Sequence, residues 1–566
     1  MRRRRNLLDA AIDTLPAPLA AFLETTIAYE TLDRRVLECD PRLPSVLPAR
    51  FRDLERSGAM FSVEEPQERY RLHPLFREAI LARMRALLGS RAIATLHRDA
   101  SVLLERIGRT GAAFFHARES DDPAALAAFL QRNAYRLCIA GLGARAARTA
   151  RGLEGTTPLA GGVAAQFAGM LARQRGEPGA EASFREALAQ ARKRGDALAS
   201  ASLRILLGED AIARGERLAP DDIAEIGRIG RSVMPAARVD ATLLAGWSAV
   251  LDHDLPRAHA RAREARELAG DTLVARTRVV SLEAYTRTVL GDFAAADAAL
   301  EETLRALEGS DHVVLLAQTQ VWYARLALLW GDVAAAKDFA TQGRALARRL
   351  DLAAELAGVE LALAEIASHE GDVAATEAAF RGARALGASA WYAADRDRME
   401  AHGTRFIGRA IFARAGAGPA LAHLRAALGG SLPPERRAPL LADAAAFAVL
   451  TGDAAAPELD AFSEAAAAAR VADGLDALTL VVAIRIAALA RAAAGRPAVP
   501  GGLPAGIETA YGRLVAARID LTASPMRAAC SPPSKAARDR SRCMVGRSRR
   551  VSCGRSHRAA ERGRKP

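Results

Sequence analysis

The sequence of 566 residues has few aromatic residues, few cysteines and no long uncharged apolar run. Phenylalanine, tyrosine and tryptophan make up 5% of it, and there are five cysteines. No stretch approaches the roughly 18 uncharged apolar residues of a membrane-spanning helix, and no signal-peptide core follows the N-terminal arginines. Cys39 and Cys138 stand alone in apolar helical contexts, which is typical of buried free thiols in a reducing compartment. We therefore expect a cytoplasmic protein with no membrane partner.

Motifs that carry catalytic or cofactor chemistry are also missing. The sequence has no G-x-x-x-x-G-K-[ST] phosphate loop, no H-E-x-x-H and no G-x-S-x-G. The segment 141–146, GLGARA, fits the dinucleotide pattern G-x-G-x-x-A but follows a helix-like segment. Cys530, Cys543, Cys553 and His557 lack the C-x-x-C spacing of a preorganised zinc site. Those two sites remain alternatives to the main prediction, which is that the chain is not an enzyme and holds no metal or cofactor.

The formal net charge of +13 and the pI near 10.1 come mostly from the two ends of the chain. Residues 522–566 contain 13 Lys and Arg against Asp539 and Glu561, and residues 2–5 are four consecutive arginines. The rest of the chain is close to neutral, which excludes a folded polycation. Because residues 522–566 have no aromatic residue and are rich in Arg, Ser and Pro, we predict a disordered basic tail.

Three interpretations of this tail remain open. Its basic residues would neutralise nucleic-acid phosphates without sequence preference and in a salt-dependent way, which makes non-specific nucleic acid a candidate partner. The simplest alternative is a solvated chain end. The third is an out-of-frame reading of GC-rich coding DNA, because arginine, serine and cysteine abruptly replace alanine and leucine there.

Residues 1–90 differ from the rest of the chain and predict a winged-helix-like unit. The segment 59–72 alternates apolar and polar residues on both sides of Pro66, which indicates a small β-hairpin. A helical period follows at 73–87 with Pro74 in the first turn, where a missing N–H is tolerated. Three further segments have helical periodicity before the hairpin: 17–29, 32–39 and 47–58.

Beyond about residue 90 the sequence predicts only helices, and a repeat organises them. Gly-Asp pairs recur at 291, 331 and 371, which are 40 residues apart, and a fixed period of this length is typical of stacked helical hairpins. Glycine allows the tight turn, and aspartate can cap the second helix. Small residues five positions after the glycine and apolar residues nine positions after it include Ala296, Ala336, Leu300, Ala340 and Phe380. Weaker copies lie around Gly176, Gly215, His253, Gly416 and Gly452.

This pattern resembles the tetratricopeptide repeat. Its period exceeds that family's usual length of about 34 residues, which predicts longer helices, and an irregular alanine-rich bundle is the alternative. The expected fold class is all-α: a winged-helix-like unit with a small β-hairpin, a tetratricopeptide-like α-solenoid and a disordered basic tail. The expected boundaries are 1–90 for the winged-helix-like domain, 91–164 for connecting helices, 165–495 for about eight repeats, 496–521 for a terminal helix region and 522–566 for the tail.

The first helix of each hairpin in such an array lines a concave groove. Six residues before the three Gly-Asp pairs lie Tyr285, Arg325 and Glu365. Other polar residues on the same predicted face are Arg278, Gln318 and His369. A row of polar groups on a concave surface predicts a site for a protein partner or a small-molecule inducer, and a merely solvated face is the alternative.

Residues 7 to about 130 resemble the region that follows the nucleotide-binding domain in MalT-like, large ATP-binding transcriptional regulators of the signal-transducing ATPase (STAND) class. The resemblance rests on the segments LPAPLAAFL, FRDLERSG, YRLHPLF and LHRDA. It implies a winged helix before a helical-repeat sensor, with a P-loop ATPase domain on one side and a LuxR-type or other DNA-binding module on the other. Because neither is visible in this chain, the resemblance implies the sensor part of a regulator, that is, a fragment.

The same resemblance gives His73 a role. In the wider ATPase class the histidine at this place approaches the β-phosphate of ADP, which implies that His73 is a former nucleotide-state sensor. Pro74 stands where relatives often have aspartate, and packing beneath the hairpin is the alternative. ATP or ADP is expected only if a separate ATPase domain is supplied. The predicted function is the sensor region of a MalT-like regulator that binds an inducer or partner; the alternative is a free-standing tetratricopeptide-like scaffold.

Overall fold

The fold is known from a computed structural model of the chain. His73, the segments 47–58 and 496–521 and the basic tail at 522–566 lie outside the residues that it describes, so the predictions for them stay predictions. The described residues are 25–29, 31–32, 34–42, 61–64, 69–72, 74–177, 179–214, 216, 218–232, 236–252, 254–290, 292–330, 332–386, 396–430, 432, 434–453 and 456–462.

Three short strands and two helices form the described part of the N-terminal region. Strands β1 (Thr31–Leu32), β2 (Phe61–Glu64) and β3 (Arg69–Leu72) make an antiparallel sheet in the order β1-β3-β2. Helix α1 (Arg34–Cys39) follows β1, and α2 (Pro74–Leu88) begins at its proline. Strands β2 and β3 lie where the alternating pattern predicted them, whereas β1 adds an unpredicted third strand. The winged-helix assignment of this region stays a prediction.

From Ser90 to Leu450 every described element is a helix. Short connections join them, as expected for a stack of helical hairpins. In chain order they are α3 Ser90–Arg106, α4 Thr110–Glu119, α5 Pro123–Ile139, α6 Gly143–Gly152, α7 Ala160–Arg175, α8 Ala180–Lys193, α9 Ala197–Ala213, α10 Pro220–Ser232, α11 Ala236–Leu251, α12 Leu255–Ala269, α13 Leu273–Val289, α14 Phe293–Leu307, α15 Val313–Trp330, α16 Val333–Arg349, α17 Ala353–Glu370, α18 Val373–Leu386, α19 Arg396–Ala415, α20 Ala417–Leu428 and α21 Pro434–Leu450.

The three hairpins of the 40-residue repeat have the predicted aspartate caps. Helices α13, α15 and α17 end next to the Gly-Asp pairs, and α14, α16 and α18 begin directly after them. Asp292, Asp332 and Asp372 accept hydrogen bonds from the backbone N–H three residues on, at 3.3, 2.9 and 2.9 Å. Each cap satisfies an N–H that the first helical turn leaves free and stabilises the helix by about 1 kcal/mol. Gly371, with φ of +73°, supplies the left-handed residue that ends α17.

Small side chains hold the two helices of each hairpin together. Ala296 and Ala336, five positions after the glycine, are completely buried, and so are Leu300 and Ala340, nine positions after it. A methyl group at the crossing point lets helix axes approach closely, so that the larger neighbours interlock. Helices α13 to α17 contain 15 to 18 residues, which agrees with the long helices that the 40-residue period predicts.

The array curves so that distant hairpins meet on its inner side. Helix α5 contacts α15, and α7 contacts α17. Ile139, the last residue of α5, is buried in one apolar cluster with Val314 and Leu315. Arg175 Nε lies 3.1 Å from Asp351 Oδ2. First helices of distant hairpins therefore approach one another on the inner side of the array, the surface that we call the groove.

The G-x-G-x-x-A segment is one of the contacts that close this curve. Gly141, in the turn between α5 and α6, has φ of +74°, and a Cβ there would lie 3.1 Å from Leu350 Cδ2 and 3.3 Å from Val313 Cγ2. A helix precedes this turn, so the segment does not form the strand–turn–helix that the dinucleotide pattern requires. The glycine instead lets the chain turn where two hairpins touch.

Candidate partner-binding groove

The six predicted groove residues lie on the first helices of three successive hairpins. Tyr285 is buried, Arg325 and His369 are exposed, and the other three are half-buried. Helix α13 carries Arg278 and Tyr285, α15 carries Gln318 and Arg325, and α17 carries Glu365 and His369. Their role as ligand groups stays a prediction, but the neighbours of four of them divide the groove into a charged part and an aromatic part.

The charged part is a chain of ion pairs that crosses four hairpins. Arg173 of α7, Glu209 of α9, Asp240 of α11 and Arg278 of α13 form what we call the charge cluster. Arg278 donates to the carboxylates of both Asp240 and Glu209, and Arg173 Nη1 donates to Glu209 Oε2 at 2.9 Å. The Arg278 guanidinium also lies over the ring of Tyr135, 5.4 Å from its centroid. Two cations and two anions thus neutralise each other.

Burial and ion pairing have opposite effects on the pKa values of the carboxyl groups in the charge cluster. Burial alone would raise the pKa of Glu209, but Arg278 and Arg173 together hold that pKa below its ordinary value. Burial raises the pKa of Asp240 despite its bond to Arg278, and it raises that of Tyr135 to about 12. The arginine side chains are only 24% and 20% exposed. The charged groups therefore interact mainly with one another and only to a small extent with solvent.

A neighbouring hydrogen bond extends the charged part of the groove onto α17. Gln318 Nε2 donates to Glu355 Oε1 at 2.6 Å, and burial raises the pKa of Glu355. Arg173 lowers this pKa in part, although it lies on α7. The closure between α7 and α17 therefore brings Glu355 within electrostatic reach of the charge cluster.

The aromatic part of the groove begins two helical turns further along the same helices. Trp247 of α11, Tyr285 of α13 and Trp322 of α15 form what we call the aromatic cluster. The ring centroids of Trp247 and Tyr285 are 5.7 Å apart, those of the two tryptophans 5.9 Å, and those of Tyr285 and Trp322 6.4 Å. Both tryptophans are half-buried, and the Arg325 guanidinium lies 5.3 Å from the Trp322 ring centroid. Indole surface and a cation are thus both accessible here.

Three groove residues escaped the sequence analysis although their spacing contained the signal. Trp247 lies six residues before position 253 and Glu209 six before position 215, the spacing that identified Tyr285. Asp240 precedes position 253 by the same number of residues as Arg278 precedes position 291. Because the turns at 215 and 253 lack the Gly-Asp pair, the register of these two hairpins was not recognised. The aromatic residue that lies off this register, Trp322, could be found only from the structure.

A second polar cluster lies outside the groove, between α3 and α4. The Nδ1 atoms of His97 and His116 are 2.8 Å apart, and both side chains are buried. One ring must therefore carry its proton on Nδ1 and the other must accept it. Burial lowers the pKa of His97, and it lowers that of His116 to about 3. The pair is thus neutral in the folded chain.

The part of the chain that the structure describes has no group of three or more His, Cys, Asp or Glu arranged to hold a metal ion. In the same residues no helix is both long enough and apolar enough to cross a membrane.

Comparison with known proteins gives matches only among solved structures. No protein-family model matches the chain, and no curated protein does. The chain is similar to a STAND protein with a tetratricopeptide repeat sensor from Pyrococcus horikoshii, with 11% identity over 84% of this chain and 67% of that one and a TM-score of 0.32. It is also similar to yeast Tom70, with 10% identity over 66% and 93% of the two chains and a TM-score of 0.27. The helical-repeat fold is evident in this chain's own helices, caps and contacts.

Proposed function

We propose that this chain is a tetratricopeptide-like scaffold that binds a segment of a protein partner along its groove, without a catalytic step of its own. The aromatic cluster carries this proposal. It gathers aromatic residues from three successive hairpins in a chain that has four tryptophans in all. Half-exposed tryptophan side chains in a concave surface are the typical anchors of protein interfaces. The charge cluster beside them holds the hairpins in register.

Affinity capture from a lysate of the source organism tests the proposal. The full chain is compared as bait with Trp322→Ala and with Leu87→Ala, a control at an exposed leucine on α2 that is 68% accessible. Specific partners should bind the Trp322→Ala bait about 30-fold more weakly, the effect of losing about 2 kcal/mol at an aromatic anchor. They should bind the Leu87→Ala bait as they bind the unchanged chain. Equal capture by all three baits, with circular dichroism showing them folded, would refute the proposal.

The narrower proposal is that the scaffold is the sensor region of a MalT-like regulator, binding an inducer or a regulatory protein. Its support is the N-terminal sequence pattern that ends in YRLHPLF, together with the strands β2 and β3 and the helix α2 in that segment. The same capture experiment separates the two readings. Enrichment of an ATPase-domain protein or RNA polymerase supports the regulator, and enrichment of unrelated clients supports the free-standing scaffold.

A further inference from the structure

Arg325 differs from the other arginines of the groove in its partners. Arg173 and Arg278 both bond to carboxylates of the charge cluster. Arg325 is exposed, and among the residues that the structure describes its one partner is the ring of Trp322. Among the described residues, no carboxylate neutralises the charge of Arg325.

Stacking leaves the hydrogen-bonding capacity of this arginine unused. The cation–π contact is electrostatic and occupies none of the five N–H donors along the edges of the guanidinium. The ring also restricts the side chain, so less conformational entropy is lost when a ligand binds. Such an edge matches the two oxygens of a carboxylate. Arg325 thus has N–H donors available for an acidic group.

The acidic group would lie beside an apolar anchor. Trp322 precedes Arg325 by three residues on α15, so the two side chains share one face of the helix about 4.5 Å apart along its axis. Trp322 and Trp247 provide indole surface at one end of this separation of about 4.5 Å, and Arg325 provides its charge at the other end. In an extended segment that rises about 3.3 Å per residue, this separation corresponds to one or two residues.

We propose that the groove binds an acidic segment of a protein partner in which Asp or Glu lies one or two residues from an aromatic or large aliphatic side chain. This inference rests on the proposed scaffold function. The apolar side chain packs on the aromatic cluster, and the carboxylate pairs with the outward edge of Arg325. The charge cluster does not compete for the acidic group, because its arginines already bond to Glu209 and Asp240.

Three fluorescein-labelled octapeptides test this chemistry by fluorescence polarisation on the full chain. Each has tryptophan in a Gly-Ser background, and the residue two positions later is Glu, Gln or Lys. The Glu peptide should bind about three- to tenfold more tightly than the Gln peptide, and the Lys peptide most weakly. Arg325→Gln should remove the difference, and Arg325→Glu should reverse it in favour of Lys. High salt should reduce the preference in every case.

The outcomes separate this inference from the proposed function. If Trp322→Ala weakens all three peptides while Glu, Gln and Lys bind equally, the groove binds protein segments but the acidic preference is refuted. If none of the peptides binds, the inference is likewise overturned, and the capture experiment decides the scaffold function independently. If phenylacetate displaces the Glu peptide at the concentration at which the unlabelled peptide does so, the occupant is a small carboxylate, and a protein segment is excluded.

Discussion

The charge cluster and the aromatic cluster lie on the same face of neighbouring helices but differ in whether the fold supplies partners for their side chains. In the charge cluster, Arg278 and Arg173 neutralise carboxylates of other hairpins, and the fold itself supplies every partner. In the aromatic cluster, two tryptophans remain partly exposed, and the neighbouring Arg325 is exposed with the Trp322 ring as its one partner among the described residues. In the first region the fold supplies a partner for every charge, whereas in the second it leaves apolar and cationic surface exposed.

This difference teaches how a groove can be both a core and a binding surface. Charges that must be buried where the superhelix closes are stable only when paired, because an unpaired buried charge costs several kcal/mol. Indole rings tolerate partial exposure, because an apolar ring that remains partly in water loses some of the energy of burial but leaves no charge without solvation. We therefore assign stability to the charge cluster and recognition to the aromatic cluster, and mutations should separate the two roles.

The largest expected effect on stability comes from Arg278→Ala. Its removal leaves the Glu209 and Asp240 carboxylates beside each other without their shared cation. Breaking a fully buried pair costs about 3–5 kcal/mol, and because Arg278 is 20% exposed we expect a lower loss of about 2–3 kcal/mol. Thermal unfolding followed by circular dichroism should show a clearly lower midpoint than for the unchanged chain.

A matched variant separates charge from bulk at this position. Adding Asp240→Asn to Arg278→Ala removes the carboxylate that is left without a cation, because Glu209 keeps its ion pair with Arg173, and should restore most of the lost stability. If this double variant is as unstable as the single one, the aliphatic part of Arg278 matters more than its charge, and the stabilising role of the cluster is refuted.

A smaller effect is expected from acid at the histidine pair, a closed polar cluster outside the groove. Burial lowers the folded pKa values below the unfolded value of about 6.5. The pair therefore makes its full contribution to the free energy of unfolding above that pH, and this contribution is lost as pH falls. For His116, with a folded pKa of about 3, the loss reaches about 2 kcal/mol at pH 5. Glu119 opposes the shift of His97, while Arg77 and Arg85 add to it.

Hydrogen exchange measures this loss where it occurs. Amides of α3 and α4 should exchange faster at pH 5 than at pH 7, after correction for the intrinsic pH dependence of exchange. In a His97→Gln/His116→Gln variant the corrected rates should not change with pH. If the corrected exchange rates of the α3 and α4 amides were the same at the two pH values, the assignment of the histidines as a neutral buried pair would be contradicted.

The smallest effect on stability is expected from Arg325→Gln. Its guanidinium is exposed and contacts one ring face, so its removal should change the free energy of unfolding by less than about 0.5 kcal/mol. The same thermal unfolding measurement checks this. A loss as large as that of Arg278→Ala would mean that Arg325 is a structural residue, and the division of roles between the two clusters would fail.

Features determined by neighbouring residues were predictable from the sequence. The caps at Asp292, Asp332 and Asp372 depend on a backbone N–H three residues away, and the burial of Ala296 and Ala336 depends on a crossing within one hairpin. Features that join distant residues were not predictable in this way. Arg278 meets Glu209 only because the stacking angle of successive hairpins brings their first helices together, and no local spacing encodes that angle.

Taken alone, the amino-acid sequence determined the helices, the 40-residue hairpin repeat and the placement of Tyr285 and Arg325 on the first helices of their hairpins, because glycine turns, aspartate caps and apolar periodicity act over a few residues. The tertiary structure determined which partners the residues on these helices have and which of them remain accessible. Stacking of successive hairpins, with α9 against α11 and α11 against α13, brought Arg278 into ion pairs with Glu209 and Asp240. Trp322, beside Tyr285, became part of an accessible aromatic surface. Superhelix curvature sums small rotations over many hairpins, so it is a property of the whole array and of no single segment.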